Sequence, residues 1–335
     1  ADSALLAAGR VITAQTVGGS GALRTGAELL KHSLPAARIA ISNPSWENHR
    51  AVFGAVGFEV LDYTYFDAER HGLDFDGMLA DLRRLEAGTV VLLHACCHNP
   101  TGFDLNHDDW LRVLDVVRAR ELLPLFDFAY QGFGDGLEED AWAVRLFAET
   151  LPEMLITSSC SKNFGLYRER TGALIAVTSD AERLLDVRSQ LASLARNLWS
   201  TPPAHGAAVV ATILADEPLR QIWQDEVERM RRRIASLRQG LVEALTPYGL
   251  AERFAQVNTP MVALNSLDDL WAPPASRDAF MAAYVNAPYQ ARTLDSQAEG
   301  LGAIGHMGYF RPAAQRLWDE TLDWFEQLRI EQRAA

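Results

Sequence analysis

The sequence predicts an α/β protein, a three-layer sandwich whose mostly parallel sheet is covered by helices on both faces. Compact apolar runs of five to eight residues recur through the first half of the chain, and helical patterns separate them. Such runs suit strands buried on both faces, and the alternation suits crossover connections. Polar residues also gather where the runs end, the edge at which open α/β sheets bind ligands.

In chain order, RIAIS (38–42), EVLDYTYF (59–66), TVVLLHA (89–95), LPLFDFA (123–129), MLITSS (154–159) and ALIAVTS (173–179) read as strands. SWENHRAVFGAVG (45–57), NHDDWLRVLDVVRARE (106–121) and DAWAVRLFAET (140–150) read as helices between them. Over 217–245 apolar residues recur at helical spacing with charges between, one long amphipathic helix. After about Val257 the pattern is strand, acidic loop, helix, strand, then a Gly-rich loop holding His306 and a last helix. The expected organisation is a large domain over 1–216, a connecting helix and linker over 217–256, and an appendage over 257–335.

Composition narrows the partners. With 335 residues, the chain has room for one large domain and a smaller one. A net charge of -13 argues against nucleic acid and anionic membranes, which demand a basic face, but not against a small anion in a locally positive pocket. The three cysteines, Cys96, Cys97 and Cys160, suit a reducing, cytoplasmic setting better than a disulfide framework. No apolar run reaches membrane-spanning length, and the start, which lacks Met, shows no signal-peptide pattern.

Four strand ends carry residues that can converge. TVGGSGALR (16–24) sets a glycine run before a helical stretch, where free N–H groups and the helix dipole favour a phosphate. CCHNPTG (96–102) sets Asn99 before a turn. LPLFDFAYQGF (123–133) buries Asp127 in an apolar strand, where it needs a cationic or hydrogen-bonding partner to stay ionised. SKNFGLYRER (161–170) supplies Lys162 and Arg170. Each has a plain alternative, a flexible turn or a solvated strand end. The joint order of phosphate loop, Asn, Asp, Lys and Arg fits pyridoxal phosphate, which needs a lysine for its Schiff base and an acid for its ring nitrogen. His94, Cys96 and His98 alternate and would share one face of a strand, but without a nearby fourth ligand they give no metal site.

SNPSWENH, CCHNPTG, DFAYQGF, SKNFGLYRER and PPAHGA resemble the class I aspartate and aromatic amino acid aminotransferases, over about residues 9–254. The resemblance implies the large domain of a fold type I pyridoxal-phosphate transferase and a homodimer with shared active sites. It also implies transamination of aspartate or an aromatic amino acid with 2-oxoglutarate. Lys162 would carry the cofactor on its amine and move the substrate α-proton, and Asp127 would keep the ring nitrogen protonated. Tyr130 and Asn99 would hold the ring's phenolic oxygen, and Trp46 would stack on the ring. Gly19, Ser20, Ser159 and Arg170 would hold the phosphate, with Ser161 close by. Arg196 would reach the neighbouring subunit's site and bind a side-chain carboxylate. Trp46 and Asn99 would also face substrate.

Two parts of the family pattern are not found, a first segment and a late arginine for the substrate α-carboxylate, so the small domain is expected to be incomplete or replaced and activity impaired. With a DDLWAPP loop (268–274) and a late IGHMGYFRP (304–312), residues of about 261–327 instead resemble the end of an α/β-hydrolase. Asp268 or Asp269 would be the triad acid and His306 the base, with no serine elbow to complete them. A serine hydrolase and a non-catalytic chimeric chain are therefore the alternatives.

Overall fold

The computed structural model describes residues 4–68, 70–245, 250–269, 274–305, 309 and 311–334. The chain forms two compact units, 1–235 and 236–335.

In the first unit seven strands form one sheet: β1 (Val11–Val17), β2 (Ile39–Asn43), β3 (Val60–Thr64), β4 (Val90–His94), β5 (Leu123–Phe128), β6 (Met154–Ser159) and β7 (Thr171–Val177). Their order is β1-β7-β6-β5-β4-β2-β3. The pairs β2–β3, β2–β4, β4–β5 and β5–β6 are parallel, and β7 runs antiparallel to both β6 and β1. Hence β1 to β6 all point one way, and the start of β7 lies at their carboxyl-terminal edge.

Among the described residues, besides a single helical turn at Ala4–Ala7, eight helices belong with this sheet: α1 (Gly18–Ser33), α2 (Glu47–Val56), α3 (Phe75–Arg84), α4 (His107–Ala119), α5 (Trp142–Thr150), α6 (Ala181–Leu198), α7 (Ala204–Ala215) and α8 (Glu217–Leu245), the last ending in the second unit. Strand alternation builds two cores. Val91, Leu93, Phe126, Phe128 and Ile156 pack with Met78, Leu82, Trp110, Val113 and Phe147 of α3, α4 and α5. Val90, Leu92, Leu125 and Leu155 pack on the other face with Ala22, Leu23, Ala27 and Leu30 of α1, Phe53 of α2 and Leu191 of α6. Each fully buried large apolar side chain stabilises by about 1.5–3 kcal/mol. Local signals set the helix starts. Asn106 and Asp109 form a reciprocal capping box on α4, and the Asp74 carboxylate accepts from Gly77 N at 2.9 Å on α3.

The expected strands and helices are present with shifts of a few residues. The run 59–66 splits, since only Val60–Thr64 enters the sheet while Phe66–Asp67 pairs with Gly72–Leu73. Strand β1 and helices α3, α6 and α7 were not expected. Among the described residues no helix is long and apolar enough to cross a membrane.

In the second unit strands Met261–Ser266 and Tyr289–Leu294 pair in parallel, with helix Pro274–Met281 between them in sequence. Helix Leu250–Gln256 precedes them and helix Gln315–Ala334 follows. Leu294, Ile304, Ala314 and Leu317 form a small core. Of the residues expected as a hydrolase dyad, Asp269 is buried. The Asp268 carboxylate accepts from Ser266 Oγ and, at 2.8 Å, from Ile304 N, and the first of these bonds leads in holding it below the usual carboxylate range. His306 lies outside the described residues. Arg292, the first guanidinium to consider for a substrate carboxylate, is ion-paired to Glu320 and Glu299, while Arg311 is exposed.

Candidate active site

The carboxyl-terminal edge of the sheet opens into a cavity of about 290 Å3. Gly19, Ser20, Trp46, Asn99, Asp127, Tyr130, Ser159, Ser161, Lys162 and Arg170, each expected from the sequence, all line it. They arrive from five strand ends and the start of β7, so the topology alone brings together residues spread over 150 positions.

At one end the cavity is built for an anion. Helix α1 begins at Gly18 with no side-chain cap, so its first turn borders the cavity with amide donors and the positive end of its dipole. Gly18 N donates to Arg170 O at 2.8 Å. Gly18 has φ +68, and a Cβ there would lie 2.5 Å from Arg170 Nη2, so glycine lets the guanidinium lie against the chain. Among the described residues Arg170 has no carboxylate partner. Ser159 and Ser161 are buried beside it, with Ser161 N donating to Ser159 Oγ at 3.2 Å.

At the other end stands Asp127. Its Oδ2 lies 2.9 Å from Nε2 of His49, which is fully buried, and only the ring can donate once the carboxylate is ionised. Ser45 Oγ contacts His49 Nδ1 at 2.9 Å. Burial alone would raise the Asp127 pKa, but the His49 hydrogen bond, first among the opposing influences, and the Lys162 charge help to outweigh it and hold the carboxyl below the usual range. His49 is the site residue that sequence reasoning missed. Its signal was its place three residues after Trp46, on the first turn of α2, where the Trp46 ring meets it edge-on at 5.2 Å.

Lys162 stands between the two ends. Its Nζ lies 4.2 Å from the centroid of the Tyr130 ring. Burial lowers its pKa, with Asp127 opposing and Arg170 adding to the drop, so more of the amine is neutral near pH 7 than in a solvated lysine. Burial leads in raising the Tyr130 phenol, with Asp127 second.

The Asn99 loop is held from below. Asp104 accepts from Cys97 N and His98 N, each at 2.7 Å, and Asn99 N donates to His94 Nδ1 at 3.1 Å. His98 stacks between His94, at 4.3 Å, and Tyr65, at 3.8 Å. Burial pushes His94 down to about 4 and His98 to about 2, so both rings are neutral at physiological pH. The strand ends at His94, so His94, Cys96 and His98 do not share a face by alternation. Among the described residues no His, Cys, Asp and Glu group is arranged to hold a metal ion. Arg196, in the last turn of α6, is exposed and does not line the cavity.

The model of the aminotransferase class I and II family matches residues 2–288. The chain belongs to this family. It is 66% identical over 257 residues to an aromatic-amino-acid aminotransferase of Pseudomonas aeruginosa, covering 77% of this chain and 64% of that one. It is 52% identical over 256 residues to an aspartate aminotransferase of the same organism, again covering 64% of the relative. The crystal structure of an aromatic-amino-acid aminotransferase from Burkholderia pseudomallei, covalently bound to pyridoxal phosphate, superposes with a TM-score of 0.73 at 54% identity, over 74% of this chain and 62% of that one. The chain thus spans somewhat under two thirds of the aminotransferases it matches. The family match continues to residue 288, into the stretch that resembled a hydrolase, and nothing in the comparisons supports that resemblance.

Proposed function

We propose that this chain is a pyridoxal-phosphate-dependent aminotransferase that moves an amino group between aspartate or an aromatic amino acid and 2-oxoglutarate. One observation carries the proposal: Lys162 shares a single cavity with an ionised, His49-bound carboxylate and with an uncapped helix end beside Arg170, which has no carboxylate partner among the described residues. The donor set fits the cofactor from end to end. The anion site suits its phosphate, the carboxylate its ring nitrogen, and the amine its aldehyde.

Pyridoxal phosphate, when bound, supplies an electrophilic carbonyl and a ring that takes up the electron pair left by a departing α-proton. The residues supply the rest. Arg170, Ser20, Ser159, Ser161 and the first turn of α1 would bind the phosphate oxygens, with Gly19 leaving room for them. Asp127 would hold a proton at the ring nitrogen, and His49 would keep Asp127 ionised so that it can. Tyr130 and Asn99 would donate to the phenolic oxygen, and Trp46 would pack against the ring. Lys162 would accept the proton from the substrate α-carbon and deliver it to the carbon that had been the cofactor's carbonyl.

Arg196 fits a role outside its own subunit's cavity, binding a side-chain carboxylate in a partner. A homodimer is part of the proposal. In its support, α7 reads AHGAAVVATILA, yet only Gly206 of it is buried. The charge of -13 and the free cysteines suit a cytoplasmic enzyme of small acids without nucleic acid or membrane partners. The serine-hydrolase alternative has no observation in its favour: no relative supports it, and His306 lies outside the described residues. The test is a titration of the purified chain with pyridoxal phosphate, followed by aspartate or phenylalanine. A stoichiometric visible absorbance band that either amino acid bleaches is expected. A chain that forms no band at stoichiometric cofactor overturns the proposal.

A further inference from the structure

Helix α8 touches both loops that carry the reactive groups. Trp223 stacks on Phe164 with ring centroids 4.4 Å apart and planes 13° from parallel. Its indole N–H donates to Asn163 O at 2.8 Å, so it grips the two residues that follow Lys162. One turn along, the buried Val227 meets the other loop: a Cβ on Gly132 would lie 2.6 Å from Val227 Cγ1. Gly132 stands two residues after Tyr130. The loops are also tied to each other, since Asn163 Nδ2 donates to Gln131 O at 3.2 Å. Trp223 and Val227 are four apart and so share one helix face.

Neither residue lines the cavity or reaches a reacting atom. Lys162 itself has few ties of its own: its carbonyl accepts from Gly165 N at 3.1 Å, and its amine rests over the Tyr130 ring. A lysine side chain has many rotamers, and the placement of its amine depends on how firmly its backbone is held.

We infer that Trp223 is a positioning residue, which fixes the Lys162 loop against the Tyr130 loop through its stack on Phe164 and its hydrogen bond to Asn163. The inference deepens the proposed aminotransferase reading, on which the use of Lys162 rests, and its test does not need the cofactor. Burial, the largest influence on the Lys162 amine, depends on this placement. The charged and titratable groups that share the cavity with that amine are Asp127, Arg170, Tyr130, Tyr167, His94 and Cys96, and none is replaced by a change at Trp223.

The chain has only two lysines, Lys31 and Lys162, so amine labelling reads each separately and Lys31 is an internal control. The full chain without cofactor is labelled with acetic anhydride across a pH series, and the two peptides are quantified by mass spectrometry. In Trp223→Leu the Lys162 midpoint should rise by roughly half a pH unit or more as the amine gains water, while the Lys31 midpoint stays put. Trp223→Phe keeps the stack and loses the N–H donor, and it should give a smaller rise. If Trp223→Leu does not fold, Trp223→Phe decides alone. A folded variant, by its circular dichroism and thermal midpoint, whose Lys162 profile matches the parent overturns the inference. Failure of the aminotransferase reading would show differently, as a parent chain that takes up no pyridoxal phosphate.

Discussion

Replacing His49 with alanine should destabilise the first unit most at neutral pH and progressively less on acidification. His49 is fully buried, and its Nε2 meets Asp127 Oδ2 at 2.9 Å. The substitution does two separable things. It removes packing against Trp46 and His94, whose rings lie 5.2 and 5.1 Å away, a loss that is nearly the same at every pH. It also leaves an ionised, largely buried carboxylate without its donor, and a hydrogen bond to a charged group contributes about 1.5–3 kcal/mol. The sign with pH follows from Asp127. In the parent its pKa lies below the ordinary value, so its contribution is complete above roughly pH 4 and is lost as pH falls through the folded value. In the variant burial acts unopposed by His49 and pushes the carboxyl upward, so acid neutralises it and relieves the penalty. At 2–4 °C per kcal/mol, the pH-dependent part is roughly 3–12 °C in melting temperature. Calorimetric melts of parent and variant without cofactor, at about pH 7 and about pH 4.5, read this directly. Equal gaps between parent and variant at both pH values would refute the reasoning, because packing alone would then explain the loss.

Other outcomes follow from the same geometry. Lys162→Ala should melt within about 2 °C of the parent, because it removes a half-buried cation, yet borohydride should no longer fix pyridoxal phosphate to the chain. Gly172→Ala should lower the melting temperature by at least roughly 3 °C, since its Cβ would lie 2.4 Å from Gly18 C and 2.8 Å from Ser158 O, both backbone atoms, and overpacking typically costs about 1–3 kcal/mol. Among the described residues lining the cavity Arg170 is the one guanidinium, and the proposed phosphate site uses it. A substrate α-carboxylate without such a partner forfeits about 2–5 kcal/mol, so aspartate turnover should run roughly thirty-fold to several thousand-fold below an intact relative assayed alongside. A rate within tenfold would show that another group, with Arg311 the first to examine, grips the carboxylate. Arg196→Ala should lower kcat/KM for aspartate by tenfold or more and leave phenylalanine nearly unchanged; equal losses for both would remove it from substrate binding.

Much of this was legible in the sequence, for physical reasons. TVVLLHA, LPLFDFA and MLITSS are compact because their strands are buried on both faces, and polar residues at their ends had nowhere else to converge than one sheet edge. Strand β1, VITAQTV, escaped notice because it is an edge strand whose side chains are mostly half-buried, so Thr and Gln interrupt the apolar run. The reversal of β7 is not written in its composition, which suits either direction. The short link over 160–170 was the available signal, since a parallel return needs a crossover of a dozen or more residues. His49 reads as a solvated helix residue until the sheet brings Asp127 beneath it. The His94, Cys96 and His98 alternation does not make a strand face, because the strand stops at His94. The late helix–strand pattern was correct, while the hydrolase resemblance rested on two short stretches, DDLWAPP and IGHMGYFRP, too brief to fix a fold.

The central claim is that Lys162, poised between Asp127 and the phosphate end, is where this chain takes up pyridoxal phosphate. The most direct measurement is borohydride reduction of the cofactor-loaded protein, followed by proteolysis and mass spectrometry. Because Lys31 is the only other lysine, the assignment is binary apart from the amino terminus. The account predicts one reduced adduct per chain, on the peptide containing Ser161, Lys162 and Asn163. An adduct on Lys31 or on the amino terminus, or no adduct at stoichiometric cofactor, would contradict it.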